Sequence, residues 1–396
     1  MKTFKELGIN DDILRVINKE GFEAPTEIQE KSIPAVLNGE DVVAESATGS
    51  GKTLAFAIGL LQSAIPKKGI QGLIITPTRE LANQIVQEIG KFAKHRNLKF
   101  AAIYGGVSIN PQFDDLKKAE IVIGTPGRLL DHIGRGTINL TRVSTIILDE
   151  ADRMFDMGFI DDTKEILSHL PEKRQTLLFS ATISGDIIHL SKRLMHNPVI
   201  VNAASRVDPK KLTQVFYDVD NRLKFSLLFH LLNEENSGLV MIFCNTRNNV
   251  DFVAKNLKSM GIDATPIHGG LTQNKRTRTM TKFNSQKVEV LVCTDVASRG
   301  LDIKGVSHVY NYDIPNDSKQ YIHRIGRTAR AGKEGIAISI VSRRDYDNFE
   351  RVEREQGIKV KQEKVPDVKK VELKFKTPAG RSFDRNSFHS RGRGRR

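Results

Sequence analysis

The chain has 396 residues, 39% hydrophobic and 27% charged, the proportions of a soluble globular protein that is too long for one ordinary core. Lys and Arg total 61 against 47 acidic residues, a formal net charge of +14, which suits an anionic polymer as partner or simply a well-solvated surface. Cys244 and Cys293 each sit in an apolar run, MIFC and VLVC, which argues against a disulfide framework or metal cluster and for buried thiols in a reducing compartment. The opening MKTFKELGIN has no apolar core of a signal peptide, and no apolar run is long enough to cross a bilayer. A cytoplasmic location with no membrane partner is the expectation.

In chain order, the first half carries the short apolar runs DVVAE, GLIITP, FAAIY, EIVIGT, TIILDE and TLLFSAT. Segments of helical spacing lie between several of them, such as Leu81, Ile85, Ile89 and Phe92. Strands alternating with helices predict an α/β fold with a parallel sheet covered on both faces, because parallel neighbours need crossover connections. The pattern restarts after NPVIVNAASRVDPKKLT with TQVFYDV, GLVMIFC, ATPIHGG, VEVLVCT, HVYNYD and GIAISIV. The expected organisation is a first domain over 1–204, a linker over 205–212, a second α/β domain over 213–360 and a basic, disordered tail over 361–396 that ends HSRGRGRR. Alternating Gly and Arg in that tail suits a nonspecific nucleic-acid arm.

The run SATGSGKT, Ser46 to Thr53, follows the first apolar strand. A phosphate loop (Walker A) needs converging backbone N–H groups, a lysine for the β and γ phosphates and a hydroxyl for Mg²⁺. Thr48, Gly49, Ser50 and Gly51 supply the loop, Lys52 the charge and Thr53 the hydroxyl, although Ser46 stands where the strict pattern has glycine. A dinucleotide fingerprint would need glycine at Leu54, so that reading fails. STIILDEAD places Asp149 and Glu150 at a strand's C-terminal edge, where open α/β sheets put ligands and phosphate-loop NTPases put a carboxylate for Mg²⁺.

With GFEAPTEIQ, PTRELA, Gly105-Gly106, TPGR, SAT, MIFCNT, QNKR, TDVASRGLD and HRIGRTAR in the same order, the chain resembles the DEAD-box ATP-dependent RNA helicases over roughly residues 4–341. LDEADRMFDMGF is similar to the bacterial RhlE-like branch. The resemblance implies two tandem RecA-like domains, ATP and Mg²⁺ as cofactors, and RNA, single-stranded or in short duplexes, as the partner, with ribonucleoprotein partners also possible. Ser46-Ala47 replaces the usual Ala-Gln of the loop, and Ala329 a common glycine of the last motif.

By the same resemblance Gln29 reads adenine, a role its carboxamide suits because it can pair bidentately with N6 and N7. Phe4 would stack on the base, while Phe22 is open to ordinary core packing. Asp302 would meet the ribose, Thr53 and Asp149 would hold Mg²⁺ largely through water, and Arg327 and Arg330 would be the arginine fingers. His323 would couple the second domain to the acids of the first, and Ser180 and Thr182 would link hydrolysis to strand opening. Thr78, Arg79, Gly105, Gly106, Thr125 and Arg128, with Arg276 and Thr294, would hold an RNA backbone without reading base edges. The implied activity is RNA-dependent ATP hydrolysis that opens short duplexes or remodels RNA–protein complexes. An ATP-gated RNA clamp would use the same motifs, and a DNA helicase is the less favoured alternative.

Overall fold

The structure, a computed structural model, describes residues 2–46, 49–203, 211–234, 238–298, 303, 305–329 and 334–375. Two seven-stranded sheets organise them. The first comprises β1 (Val42–Ser46), β2 (Gly72–Ile75), β3 (Phe100–Ile103), β4 (Ile121–Gly124), β5 (Thr145–Asp149), β6 (Gln175–Ser180) and β7 (Val199–Ala203), in the order β3-β4-β2-β5-β6-β1-β7. The second comprises β8 (Leu212–Asp218), β9 (Leu239–Phe243), β10 (Ala264–Ile267), β11 (Val290–Cys293), β12 (Val306–Asn311), β13 (Gly335–Val341) and β14 (Lys361–Glu363), in the order β10-β11-β9-β12-β13-β8-β14. The chain divides into two compact units, each built on one sheet.

Pairing in the first sheet is parallel throughout, with Val42 opposite Leu177 on β6 and opposite Val199 on β7. Helices on both faces make the central strands apolar from end to end, and every residue of β2, β4, β5 and β9 is buried. The helix Arg79–Phe92 shows how the spacing works: Thr78 caps it by accepting from the Leu81 N–H at 3.3 Å, and Leu81, Ile85, Ile89 and Phe92 face the core. Both cysteines are buried, and neither is in a disulfide.

All twelve strands expected from apolar runs are present, and two more complete the sheets. β7 lies in the stretch read as the approach to the linker; it is an edge strand whose Ile200 is exposed, so its apolar signal is short. Leu212, assigned to the linker, already begins β8, and residues 204–210 lie outside the described residues. The tail expected from Lys361 is corrected more substantially. Lys361–Glu363 pairs in parallel with Val215–Tyr217, and Val365, Val368 and Val371 then pack against the core of the second unit. The Val371 N–H donates to Ser226 Oγ at 3.1 Å, and the buried Asn256 clasps Phe375 at both its N–H, 3.1 Å, and its carbonyl, 3.0 Å. Residues 364–375 form neither helix nor strand, so neither apolar period announces this strap. The rest of the expected tail, 376–396, lies outside the described residues.

Candidate functional site

In the first unit the chemistry-bearing residues collect at the C-terminal edges of three neighbouring strands, β1, β6 and β5. The phosphate-loop segment leaves β1 and enters the helix Lys52–Ser63 through Gly51, whose φ of 87° suits glycine. A side chain there would also collide with Gln29, whose Nε2 stands 2.5 Å from the position of a Cβ. Gln29 itself accepts from the Thr26 N–H at 2.9 Å and donates to the Gly51 carbonyl at 3.0 Å, which ties the GFEAPTEIQ segment to the loop. Each half of its carboxamide keeps one further hydrogen-bonding position, the pair a purine edge needs. Gly49 has a φ of 83°, and the hydroxyls of Ser46 and Ser50 bond to each other, so the residue that departs from the usual pattern braces the loop. Thr48 lies outside the described residues.

Lys52, at the helix start, is buried with Asp149 and Glu150. Its Nζ is 2.8 Å from Asp149 Oδ1 and 3.9 Å from a Glu150 oxygen. Burial disfavours the ammonium, but Asp149, Glu150 and the hydrogen bond to Asp149 outweigh it and hold the Lys52 pKa above its ordinary value. Burial also pushes the Asp149 carboxyl up, against the pull of Lys52. Glu150 occupies the left-handed region, φ 55°, strain of about 1 to 2 kcal/mol at a turn that aims two carboxylates at one lysine. Arg153, which the motif reading passed over, grips Glu150 at 2.5 Å; its spacing three residues on, in one helical turn, was the available signal. Asp149 Oδ2 is buried with no hydrogen-bond partner among the described residues. Thr53, next to Lys52 in sequence, is buried, and Ser180 accepts from the Asp152 N–H at 3.3 Å while donating to the Thr182 carbonyl at 2.8 Å. The SAT turn is therefore joined to the helix that follows Asp149 and Glu150.

A second grouping lies on the same sheet, after β2, β3 and β4. Arg79 begins its helix, Gly105-Gly106 follow β3, and Thr125 and Arg128 open the helix Pro126–Gly134. Gly106 has a φ of 77°, and a side chain on it would run into the Arg79 guanidinium. A Cβ on Gly105 would stand 3.7 Å from Arg79 Nη2 and 4.0 Å from Arg128 Nη2. Two guanidinium groups thus flank an open backbone turn, a cationic cradle for an anion such as a phosphate.

In the second unit, Arg276 reaches the Ala297 carbonyl at 3.5 Å in the turn that begins at Thr294 after β11. The three arginines of HRIGRTAR part company. Arg324 is buried and fully engaged: it donates to both Asp295 oxygens at 2.7 and 2.6 Å, to the Asp313 carbonyl at 2.6 Å and to Asn245 Oδ1 at 2.8 Å. It holds the second unit together rather than meeting a ligand. His323 is half-buried in the helix Ser318–Ile325; Arg327, in the stretch Gly326–Gly335 that groups with the first unit, is buried, and Asp302 and Arg330 lie outside the described residues. Phe4 is packed in the first unit's core with 4% of its surface exposed, and Phe22, open to a core reading, is instead 43% exposed against Phe92.

Two parallel sheets in tandem, the first with a lysine and two carboxylates at its C-terminal edge, define a pair of RecA-like domains, and solved structures agree. Yeast Dbp5 bound to RNA and ADP BeF3 matches with a TM-score of 0.85 at 31% identity, covering 93% of this chain and 97% of that one. A DEAD box protein from the hyperthermophile Methanococcus jannaschii matches with a TM-score of 0.55 at 43% identity, covering 91% and 99%. The DEAD/DEAH box helicase family profile matches residues 26–190, and the helicase conserved C-terminal domain residues 223–332. The DEAD-box ATP-dependent RNA helicase CshA of Bacillus cereus is 46% identical over 89% of this chain and 68% of its own length, and that of Geobacillus kaustophilus 43% over 92% and 79%. The chain belongs to the DEAD/DEAH box helicase family.

Proposed function

We propose that this chain is an RNA-dependent ATPase that grips RNA by its backbone and uses ATP to open short duplexes or remodel RNA–protein complexes. The observation that carries the reading is the placement, on one sheet edge, of the Lys52–Asp149–Glu150 cluster and the Arg79–Gly105–Gly106–Arg128 cradle. The first suits nucleotide phosphates and the second an RNA phosphate. Neither cradle glycine nor guanidinium fork reads a base, so binding is indifferent to sequence. Family membership and the RNA-bound relative Dbp5 support the same substrate.

Within this reading Lys52 binds the β and γ phosphates, Glu150 orients water, Gln29 selects adenine, and Arg327 and Arg330 stabilise charge on the transferring phosphoryl group. Asp149, with its unpartnered buried oxygen, and Thr53 would hold Mg²⁺ largely through water, and the ion would neutralise phosphate charge. Asp302 on the ribose, His323, Ser180 and Thr182 in coupling, and Thr78, Thr125, Arg276 and Thr294 on RNA complete the assignment. Stacking by Phe4 requires its covered ring to become accessible. We assign residues 1–204 and 213–375 to the two domains. LDEADRMFDMGF supports a RhlE-like affiliation, against relatives that carry the name CshA. A basic chain with two buried cysteines that form no disulfide suits the cytoplasm.

The test is ATPase rate against RNA concentration for the wild type and Lys52→Ala. A low basal rate that climbs with RNA and vanishes in the variant is expected. A rate indifferent to RNA would overturn the assignment and leave an ATP-driven switch of another kind.

A further inference from the structure

Beneath the cationic cradle lies a buried polar relay that the motifs do not contain. Gln112, in the helix Asn110–Leu116, and His132, in the helix Pro126–Gly134, are both buried. Arg128 Nη1 donates to Gln112 Oε1 at 3.1 Å, and Arg128 Nη2 donates to the Val107 carbonyl at 3.2 Å. Gln112 Nε2 donates to the Tyr104 carbonyl at 3.0 Å, so one carboxamide ties the arginine to the strand end that leads into Gly105-Gly106. His132 Nε2 stands 3.1 Å from the same Gln112 oxygen, and Nδ1 2.8 Å from Thr137 Oγ1. Because a carboxamide oxygen only accepts, Nε2 carries a proton, and the Thr137 hydroxyl beside Nδ1 also lies 3.1 Å from the His132 carbonyl. Burial, and then Arg128, hold the ring below its ordinary pKa, consistent with the neutral form.

We infer that Gln112, oriented by His132, is a positioning residue that fixes the Arg128 guanidinium and the Gly105-Gly106 turn in register for an RNA phosphate. The inference rests on the RNA-binding reading of the cradle. Its physical content is preorganisation: a long arginine side chain that must be ordered on binding weakens the complex, and here the ordering is already built in. A polar relay kept in a dry site at the cost of desolvation is consistent with a role beyond packing.

A double-mutant cycle on the full chain tests this. RNA needed for half-maximal ATPase is measured for wild type, Gln112→Met, Arg128→Gln and the double variant, with thermal melts beside each. Gln112→Met is expected to raise that concentration about three- to tenfold, the effect of leaving one rotamer-rich side chain to be ordered on binding, with the saturated rate within about twofold. In the Arg128→Gln background it is expected to add nothing, because its effect runs through the guanidinium. Equal effects in both backgrounds would show a merely structural role and overturn the inference. If Arg128→Gln alone leaves RNA binding unchanged, the cradle reading falls and the inference with it. Should Gln112→Met fail to fold, Gln112→Glu keeps the acceptor but neutralises Arg128. It is then expected to weaken RNA and lower the slope of log affinity against log salt by about 0.7, one single-strand phosphate, and an unchanged slope overturns the inference.

Discussion

At the scale of single residues, the buried lysine proposed to bind phosphate is also a structural group. Lys52 is almost wholly enclosed with Asp149, so Lys52→Ala removes the counter-charge of a carboxylate that cannot reach water. Breaking such a pair costs about 3 kcal/mol, while replacing both partners is far milder. Urea midpoints of the nucleotide-free protein are therefore expected to fall in Lys52→Ala and to recover by more than half in Lys52→Ala with Asp149→Asn; no recovery would mean that the pair contributes nothing to the fold. Ala329 offers the opposite case. It replaces a glycine common in the family and sits at φ 54°, a region that disfavours any Cβ. Ala329→Gly is expected to stabilise the chain by about 0.5 to 1 kcal/mol, measured by denaturant midpoint, because relief of that strain exceeds the entropy glycine adds to the unfolded chain. Lys52, Asp149 and Glu150 were legible in the sequence because their chemistry demands fixed neighbours. Gln112 and His132 were not: one polar residue in NPQFDDL and one in LLDHI look like any solvated helix face until packing encloses them.

At the scale of elements, apolar runs announced the interior strands, whose two faces are covered, and also the edge strands β3 and β10, while the edges β7 and β14 escaped. β7 and β14 are both edge strands, and Lys361–Glu363 has no apolar residue at all. Its place comes from backbone pairing with β8 and from the strap that follows. A chain that stops at Glu363 loses the packing of Val365, Val368 and Val371 and leaves Asn256 and Ser226, both buried, without the backbone groups they hold. Three partly buried valines at about 1 kcal/mol each set the scale of the loss at about 3 kcal/mol. Urea unfolding should show the second unit weakened in the chain ending at Glu363 and unchanged in the chain ending at Phe375. Equal midpoints would mean that the strap rests on the surface without stabilising it.

At the scale of the whole molecule, the residues beyond Phe375 matter through their charge. Residues 376–396 hold seven Lys and Arg against the single acid Asp384, so ending the chain at Phe375 reduces the formal net charge from +14 to +8 and leaves the strap and its clasp in place. If the terminal residues act as an auxiliary RNA arm, their loss removes phosphate contacts without touching the cradle, the Lys52 cluster or Arg327. The RNA concentration for half-maximal ATPase should then rise, the saturated rate should hold, and the slope of log affinity against log salt should shrink by about 2 to 4, since each single-strand phosphate contributes roughly 0.7. A collapse of the saturated rate would instead place the arm inside the catalytic machine, and an unchanged slope would make it a solvated end. The comparison is clean only at Phe375: truncation at Lys361 would mix the loss of charge with the loss of β14 and the strap, and a weakened second unit would then masquerade as weakened RNA binding.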